Sequence, residues 1–173
     1  KALEIKKAVL GENHPDTAYS YNNIGVVYAN LGEYDEALKF YNKALEIKKA
    51  VLGENHPDTA GSYNNIGAIY YNLGGYDKAL EYFNKALEIR KDVLGKNHPD
   101  TAASYINSGN VYADLGNYDK ALGFYYKAWE IFEEVLGESH PYTQQTLRNI
   151  AIAKQKLEES QKKKGFWSKL FGE

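Results

Sequence analysis

Histidine is the side chain of this sequence best suited to proton or metal chemistry, and it recurs in a fixed setting. His14-Pro15, His56-Pro57, His98-Pro99 and His140-Pro141 lie 42 residues apart each time. Ligands to one metal ion must converge on it at about 2 Å. Residues that recur once per structural unit are instead held at least a packed-helix width apart, about 8–10 Å, so this pattern builds no metal site. It fits a capping role: His at the N-cap, proline at the first helical position, then, in the first three copies, an aspartate at the positive end of the helix dipole. No cysteine is present, which removes thiol nucleophiles, disulfides and thiolate metal sites. The motifs G-x-x-x-x-G-K-[ST], G-x-S-x-G and H-E-x-x-H do not occur. Carboxylates such as Glu33, Asp35 and Glu36 fall on turns, where a solvated face is the default. No catalytic residue, metal or cofactor is expected, and no enzymatic activity.

Asparagine is the more informative polar residue. Asn22-Asn23 and Asn64-Asn65 recur in register, and Asn107 and Asn149 match Asn23 and Asn65. Asparagine is a mediocre helix former because its side chain competes for backbone hydrogen bonds. Its recurrence inside a helix therefore needs a reason. An amide offers donor and acceptor together, which suits holding a peptide backbone. It suits equally well tying one repeat to the next.

The elements that carry these residues follow from self-similarity. Residues 1–18, KALEIKKAVLGENHPDTA, return unchanged as residues 43–60, with modified copies from Lys85 and Lys127. Each unit reads as two helices, one from about Pro15 to Leu31 and one from about Asp35 to Leu52. Gly32 and Gly53 supply the stops, and Leu38, Tyr41, Leu45 and Leu52 recur at helical spacing. Short connections make successive helices antiparallel neighbours. Small residues, Gly25 with Ala37, Gly67 with Ala79 and Gly109 with Ala121, allow close approach, with Tyr21, Ile24 and Tyr28 facing Tyr41 as core. The boundaries predicted are 1–13, the end of an incomplete repeat; 14–55, 56–97 and 98–139, three repeats; 140–161, a capping helix with a more polar outer face; and 162–173, a tail. Seven regular helices are expected, with a further helix in the tail. The sequence opens at Lys1 in mid-pattern and reads as a fragment.

The series Tyr21, Ile24, Gly25, Tyr28, Leu31, Gly32, Tyr34, Ala37, Tyr41, Ala44 resembles the tetratricopeptide (TPR) signature. It returns as Tyr63 to Ala86 and as Tyr105 to Ala128, with Ser108 where isoleucine is expected. The usual repeat is about 34 residues. The excess here follows Ala44 and amounts to about two helical turns, as in the long repeats of kinesin light chains, which these resemble. The resemblance implies an all-α fold, an α-solenoid of antiparallel helix pairs wound as a right-handed superhelix. It also implies a scaffold that binds protein partners, with the first helices lining a concave face. By family register that face would present Tyr19, Asn22, Asn23, Val26 and Asn30, then Asn64, Asn65, Ala68, Tyr71 and Asn72. Further along it would present Asn107, Asn110, Asp114, Arg148 and Asn149.

Arg148 stands nearly alone as a base on that face, so an extended internal segment is a better ligand than a free C-terminal carboxylate. The alternative is a structural element that stacks end to end through incomplete repeats. With 21 basic and 23 acidic residues, the chain lacks the basic excess of a nucleic-acid binder. No run approaches the roughly 18 apolar residues of a membrane span, and a cytoplasmic home is expected. The tail differs: Lys162, Lys163 and Lys164 precede Gly165 and the cluster Phe166, Trp167, Leu170 and Phe171. Such a segment suits self-association, docking on a partner, or a weak contact with an anionic membrane surface.

Overall fold

The structure, a computed structural model, describes residues 2–171, with side chains at 4–164 and at Phe166. Among them there are eight helices and no strand: α1 (Ala2–Leu10), α2 (Pro15–Asn30), α3 (Tyr34–Leu52), α4 (Pro57–Asn72), α5 (Tyr76–Val93), α6 (Pro99–Asp114), α7 (Tyr118–Leu136) and α8 (Pro141–Phe171). The fold class is all-α, of the α-solenoid helix-pair type. The chain forms two compact units, Lys1–Lys96 and Asn97–Glu173.

Helix starts are set locally. His14, His56, His98 and His140 each turn Nδ1 onto the backbone N–H two residues on, at 3.1–3.2 Å. Proline follows at a position whose missing N–H would have had no helical partner. Gly32, at φ 76°, takes the left-handed conformation that ends α2, and its N–H reaches the Ala29 carbonyl at 3.1 Å.

In the first unit α2 and α3 run antiparallel. Ala18 and Tyr21, early in α2, cluster with Ala44 and Ile47, late in α3. Gly25 meets Tyr41, and Tyr28 stacks on Phe40 with ring centroids 5.4 Å apart. The expected aromatic pairing therefore changes partner. Tyr21 and Tyr28 pack on Phe40 (6.1 and 5.4 Å), while Tyr41 lies over the bare face of Gly25. A second helix is then sandwiched between two first helices: Ala37, Tyr41 and Leu45 of α3 pack on Ala60, Tyr63, Ile66 and Ile69 of α4. Ile66 is wholly buried, worth about 1.5–3 kcal/mol relative to exposure. Each repeat also hides a polar tie. Thr17 and Thr59 are fully buried and donate from Oγ1 to the carbonyls of Gly11 and Gly53 at 2.9 Å.

The second unit repeats the scheme. Ala102 packs with Ala128, Ile131 and Phe132, and Ala121 and Tyr125 pack with Ile150 and Ala153 of α8. Thr143 donates to the Gly137 carbonyl at 2.9 Å. The expected boundary between a capping helix ending at residue 161 and a tail from 162 is not marked by a helix end. α8 runs unbroken from Pro141 to Phe171, so residues 162–171 continue the eighth helix rather than forming a separate one. Phe166 is exposed; the side chains of Trp167, Leu170 and Phe171 lie outside the described residues. No helix among the described residues is long and apolar enough to cross a membrane.

Candidate functional site

First helices present the amide residues, and the structure sorts them into three groups. In the first unit Asn65 Nδ2 on α4 donates to Asn22 Oδ1 on α2 at 2.9 Å. These two predicted ligand-binding residues are thus brought together and tie one repeat to the next. Asn23, Val26, Asn30 and Asn72 are exposed, the last two ending their helices; Asn64, Ala68 and Tyr71 are half-buried. The Tyr71 ring lies 5.9 Å from that of Tyr76.

Tyr19 belongs to an inter-repeat cluster that the sequence did not reveal. Its hydroxyl donates to Asp58 Oδ2 at 2.6 Å, and Lys48 Nζ stands 5.2 Å above its ring. Lys48 is only 6% exposed and donates to the Asp58 carbonyl at 3.2 Å. Burial holds the Lys48 ammonium pKa below the usual lysine range. The hydrogen bond to Asp58, reinforced by burial, raises that of the Tyr19 phenol.

In the second unit Asn110 Oδ1 accepts from the Tyr125 hydroxyl at 2.8 Å, and Asp114 is exposed at the end of α6. Desolvation, with a contribution from the Asp114 carboxylate, pushes the Tyr125 pKa up to about 12. On α8, Asn149 Oδ1 accepts from Gln145 at 3.1 Å, and exposed Arg148 donates to the same glutamine at 3.0 Å. Asn107 and Asn149 are brought together across a cavity of about 320 Å³ between α6 and α8, with Phe132 of α7 at its base. Ala103, Ile106 and Tyr142 form its other walls. None of these wall residues was singled out by sequence reasoning, although comparing the repeats column by column would have marked them as departures.

Second helices carry a ladder of cations over rings. Lys43 lies over Phe40, Lys85 over Tyr82 and Lys127 over Phe124 at 5.4–5.9 Å, so these lysines cover core edges rather than standing only as solvated charge. Among the described residues no group of three His, Asp or Glu side chains is placed to hold a metal.

The Tetratricopeptide repeat family model matches residues 1–50, 21–92, 58–125 and 100–162. Among solved structures, BtubC (BKLC) from P. vanneervenii is 26% identical with a TM-score of 0.77, covering 88% of this chain and 61% of its own. RapI in its apo form is 25% identical with a TM-score of 0.76, covering 91% and 56%. The nearly identical TPR-like repeats of a kinesin light chain candidate from Podosopora anserina share the fold at 21% identity and a TM-score of 0.74, covering 96% and 79%. The chain thus spans about three fifths of the length of BtubC. No curated protein gives a significant sequence match. TPR repeats are in general non-enzymatic protein-interaction scaffolds. The overlapping matches run through all the helix pairs described above, and the chain belongs to the tetratricopeptide repeat family, with repeats like those of kinesin light chains.

Proposed function

We propose that this protein is a cytoplasmic scaffold that holds an extended segment of a partner protein on its first-helix faces. The faces are α2 with α4 in the first unit and α6 with α8 in the second. The observation that carries the reading is the cavity between α6 and α8, flanked by the amides of Asn107 and Asn149. Amides supply paired donors and acceptors for a backbone, and a cavity beside them takes a side chain. No lysine or arginine occurs in α2, α4 or α6, which argues against a clamp for a free carboxylate. The test is a peptide selected from a random display library on the intact chain. Its affinity for Asn107→Ala/Asn149→Ala is expected to fall by several-fold, since each lost hydrogen bond is worth about 0.5–1.5 kcal/mol. Equal affinity, with helicity intact, overturns the assignment.

End-to-end assembly is a second reading, favoured by one observation. Val27 on α2 is 57% exposed, whereas its counterparts Ile69 and Val111 are 2% and 0% exposed. Sedimentation velocity over a wide concentration range tests it. A mass that rises with concentration and returns to monomer in Val27→Lys supports assembly; a constant monomer mass removes it.

A further inference from the structure

The last part of α8 falls outside the repeat scheme, and its charge and apolar content differ from those of the rest of the chain. Earlier in the helix, Ile150 and Ala153 are buried against Ala121 and Tyr125 of α7. Leu157 and Ser160 still border the turn at residues 115–119. From there on Gln161, Lys162, Lys163 and Lys164 are exposed, and Phe166 is 60% exposed. The backbone nevertheless stays helical to Phe171. Charge is segregated along it. The chain as a whole holds 21 basic and 23 acidic residues; four of the basic ones, Lys162, Lys163, Lys164 and Lys169, lie within residues 162–171, and none of the acidic ones does. The remainder of the chain is therefore more acidic than the total implies. Apolar residues are concentrated in the same stretch: Phe166, Trp167, Leu170 and Phe171 follow at the spacing of a helical stripe.

We propose that residues 162–171 rest on the surface of an anionic lipid bilayer. Lysines beside tryptophan and phenylalanine on one helix suit that interface, where ammonium groups meet lipid phosphates and rings reach the acyl boundary. Charge complementarity selects the anionic surface and also the orientation, because the acidic remainder of the chain is repelled by it and only the end of α8 is drawn in. A nucleic acid would engage the lysines but leave Leu170 in water, and the acidic remainder would repel it along its length. No described helix is long and apolar enough to cross a membrane, so the contact is peripheral and reversible. Lys162 follows Asn149 by about 20 Å along the axis of α8, and no residue beyond Asn149 lines the cavity between α6 and α8. That cavity therefore stays free while the helix end is bound, and the inference is independent of the first-helix reading above.

The test is co-flotation of the intact chain with vesicles of phosphatidylcholine, either alone or mixed in about equal parts with phosphatidylglycerol. Binding is expected to the anionic vesicles alone and should fall as salt is raised. Each lysine near such a surface is worth about five-fold, so Lys162→Gln/Lys163→Gln/Lys164→Gln should weaken binding by about a hundred-fold. The corresponding arginine form keeps the charge and should bind as the parent does. Phe166→Ser/Trp167→Ser should cost about ten-fold or more, because the rings no longer leave water. Helicity should be unchanged in the lysine variants, whose positions are exposed. Asn107→Ala/Asn149→Ala should float as the parent does, which separates this inference from the first-helix reading. Binding to neither vesicle, or equally to both, overturns the proposal. Unchanged vesicle binding by the serine pair, with a short oligonucleotide bound as tightly, marks a general anion contact and overturns it too. A mass that rises with concentration and returns to monomer in the serine pair, with no vesicle bound, assigns the segment to a second copy of the chain instead.

Discussion

Two glycines in one helix predict opposite responses to the same substitution. A Cβ built on Gly67 would stand 2.8 Å from both Cδ1 and Cε1 of Phe83, and 3.3 Å from its Cγ. Phe83 is 3% exposed, so its ring has little room to retreat. Gly61, also within α4, would place a Cβ with nothing within 4 Å. Alanine is a better helix former than glycine by about 0.8–1.0 kcal/mol, and that gain applies at both sites. Overpacking costs about 1–3 kcal/mol and applies at Gly67 alone. Gly61→Ala should therefore stabilise by about 1 kcal/mol, while Gly67→Ala should range from neutral to about 2 kcal/mol destabilising. Gly67→Leu should be worse. Urea melts followed by circular dichroism at equal protein concentration would read the gap. Adding Phe83→Leu to Gly67→Ala should recover part of the loss, a coupling expected only for residues in contact. If Gly67→Ala stabilises as much as Gly61→Ala, the close approach of helix backbone and ring is refuted.

Two further outcomes follow from buried polar groups. Tyr125 is 4% exposed with its pKa pushed up to about 12, above the roughly 10 of an exposed tyrosine. The stability it contributes as neutral phenol is full below pH 10 and is lost as pH rises towards 12, on the order of 2–3 kcal/mol. Tyr125→Phe should flatten this alkaline limb in a pH series of urea melts, and an unchanged slope contradicts the assignment. Ser108 is fully buried in α6 with no hydrogen-bond partner for Oγ among the described residues, so Ser108→Ala should raise stability by about 0.5–2 kcal/mol; a lower melting temperature would mean that the hydroxyl is bonded.

The helix ends were legible because their causes are local. His-Pro starts and glycine stops act within a few residues, and α2 (Pro15–Asn30) and α3 (Tyr34–Leu52) fall within a residue or so of the expected spans. The repeat period revealed the stacking, since units with the same apolar stripe bury it only against one another. What acts across the repeat was less legible. Neither the Thr59 bond to the Gly53 carbonyl nor the buried Lys48 can be recognised from residue type, because threonine and lysine in a helix are ordinarily surface residues. The Asn22–Asn65 bond fulfils one of the two roles open to asparagine, because a residue in one unit meets a differently placed residue in the next. The change of composition at residue 162 marks no helix end, and Gly165 is carried within α8, a cost of about 1 kcal/mol that a helix of 31 residues accommodates.

Identity and departure between repeats therefore report on different things. Columns that hold one residue type, such as Thr17, Thr59, Thr101 and Thr143, are buried in every copy, and their constancy is explained within the fold, by packing and by bonds such as those of Thr17, Thr59 and Thr143 to the preceding glycine carbonyls. The column of Tyr19, Gly61, Ala103 and Gln145 keeps no size or polarity, yet it faces the recess in which one copy is self-filled and another is open. An array that needed only to stack would lose nothing by repeating Tyr19, Lys48 and Asp58 in every unit, since that cluster already satisfies its own hydrogen bonds and charges. Replacing all three with Ala103, Phe132 and Tyr142 exchanges a polar tie for a cavity open to solvent, whose apolar lining lacks contacts on one side. A side chain that enters from outside restores the lost contacts. That is the physical reason for placing recognition where the repeats differ, beside the Asn107 and Asn149 amides.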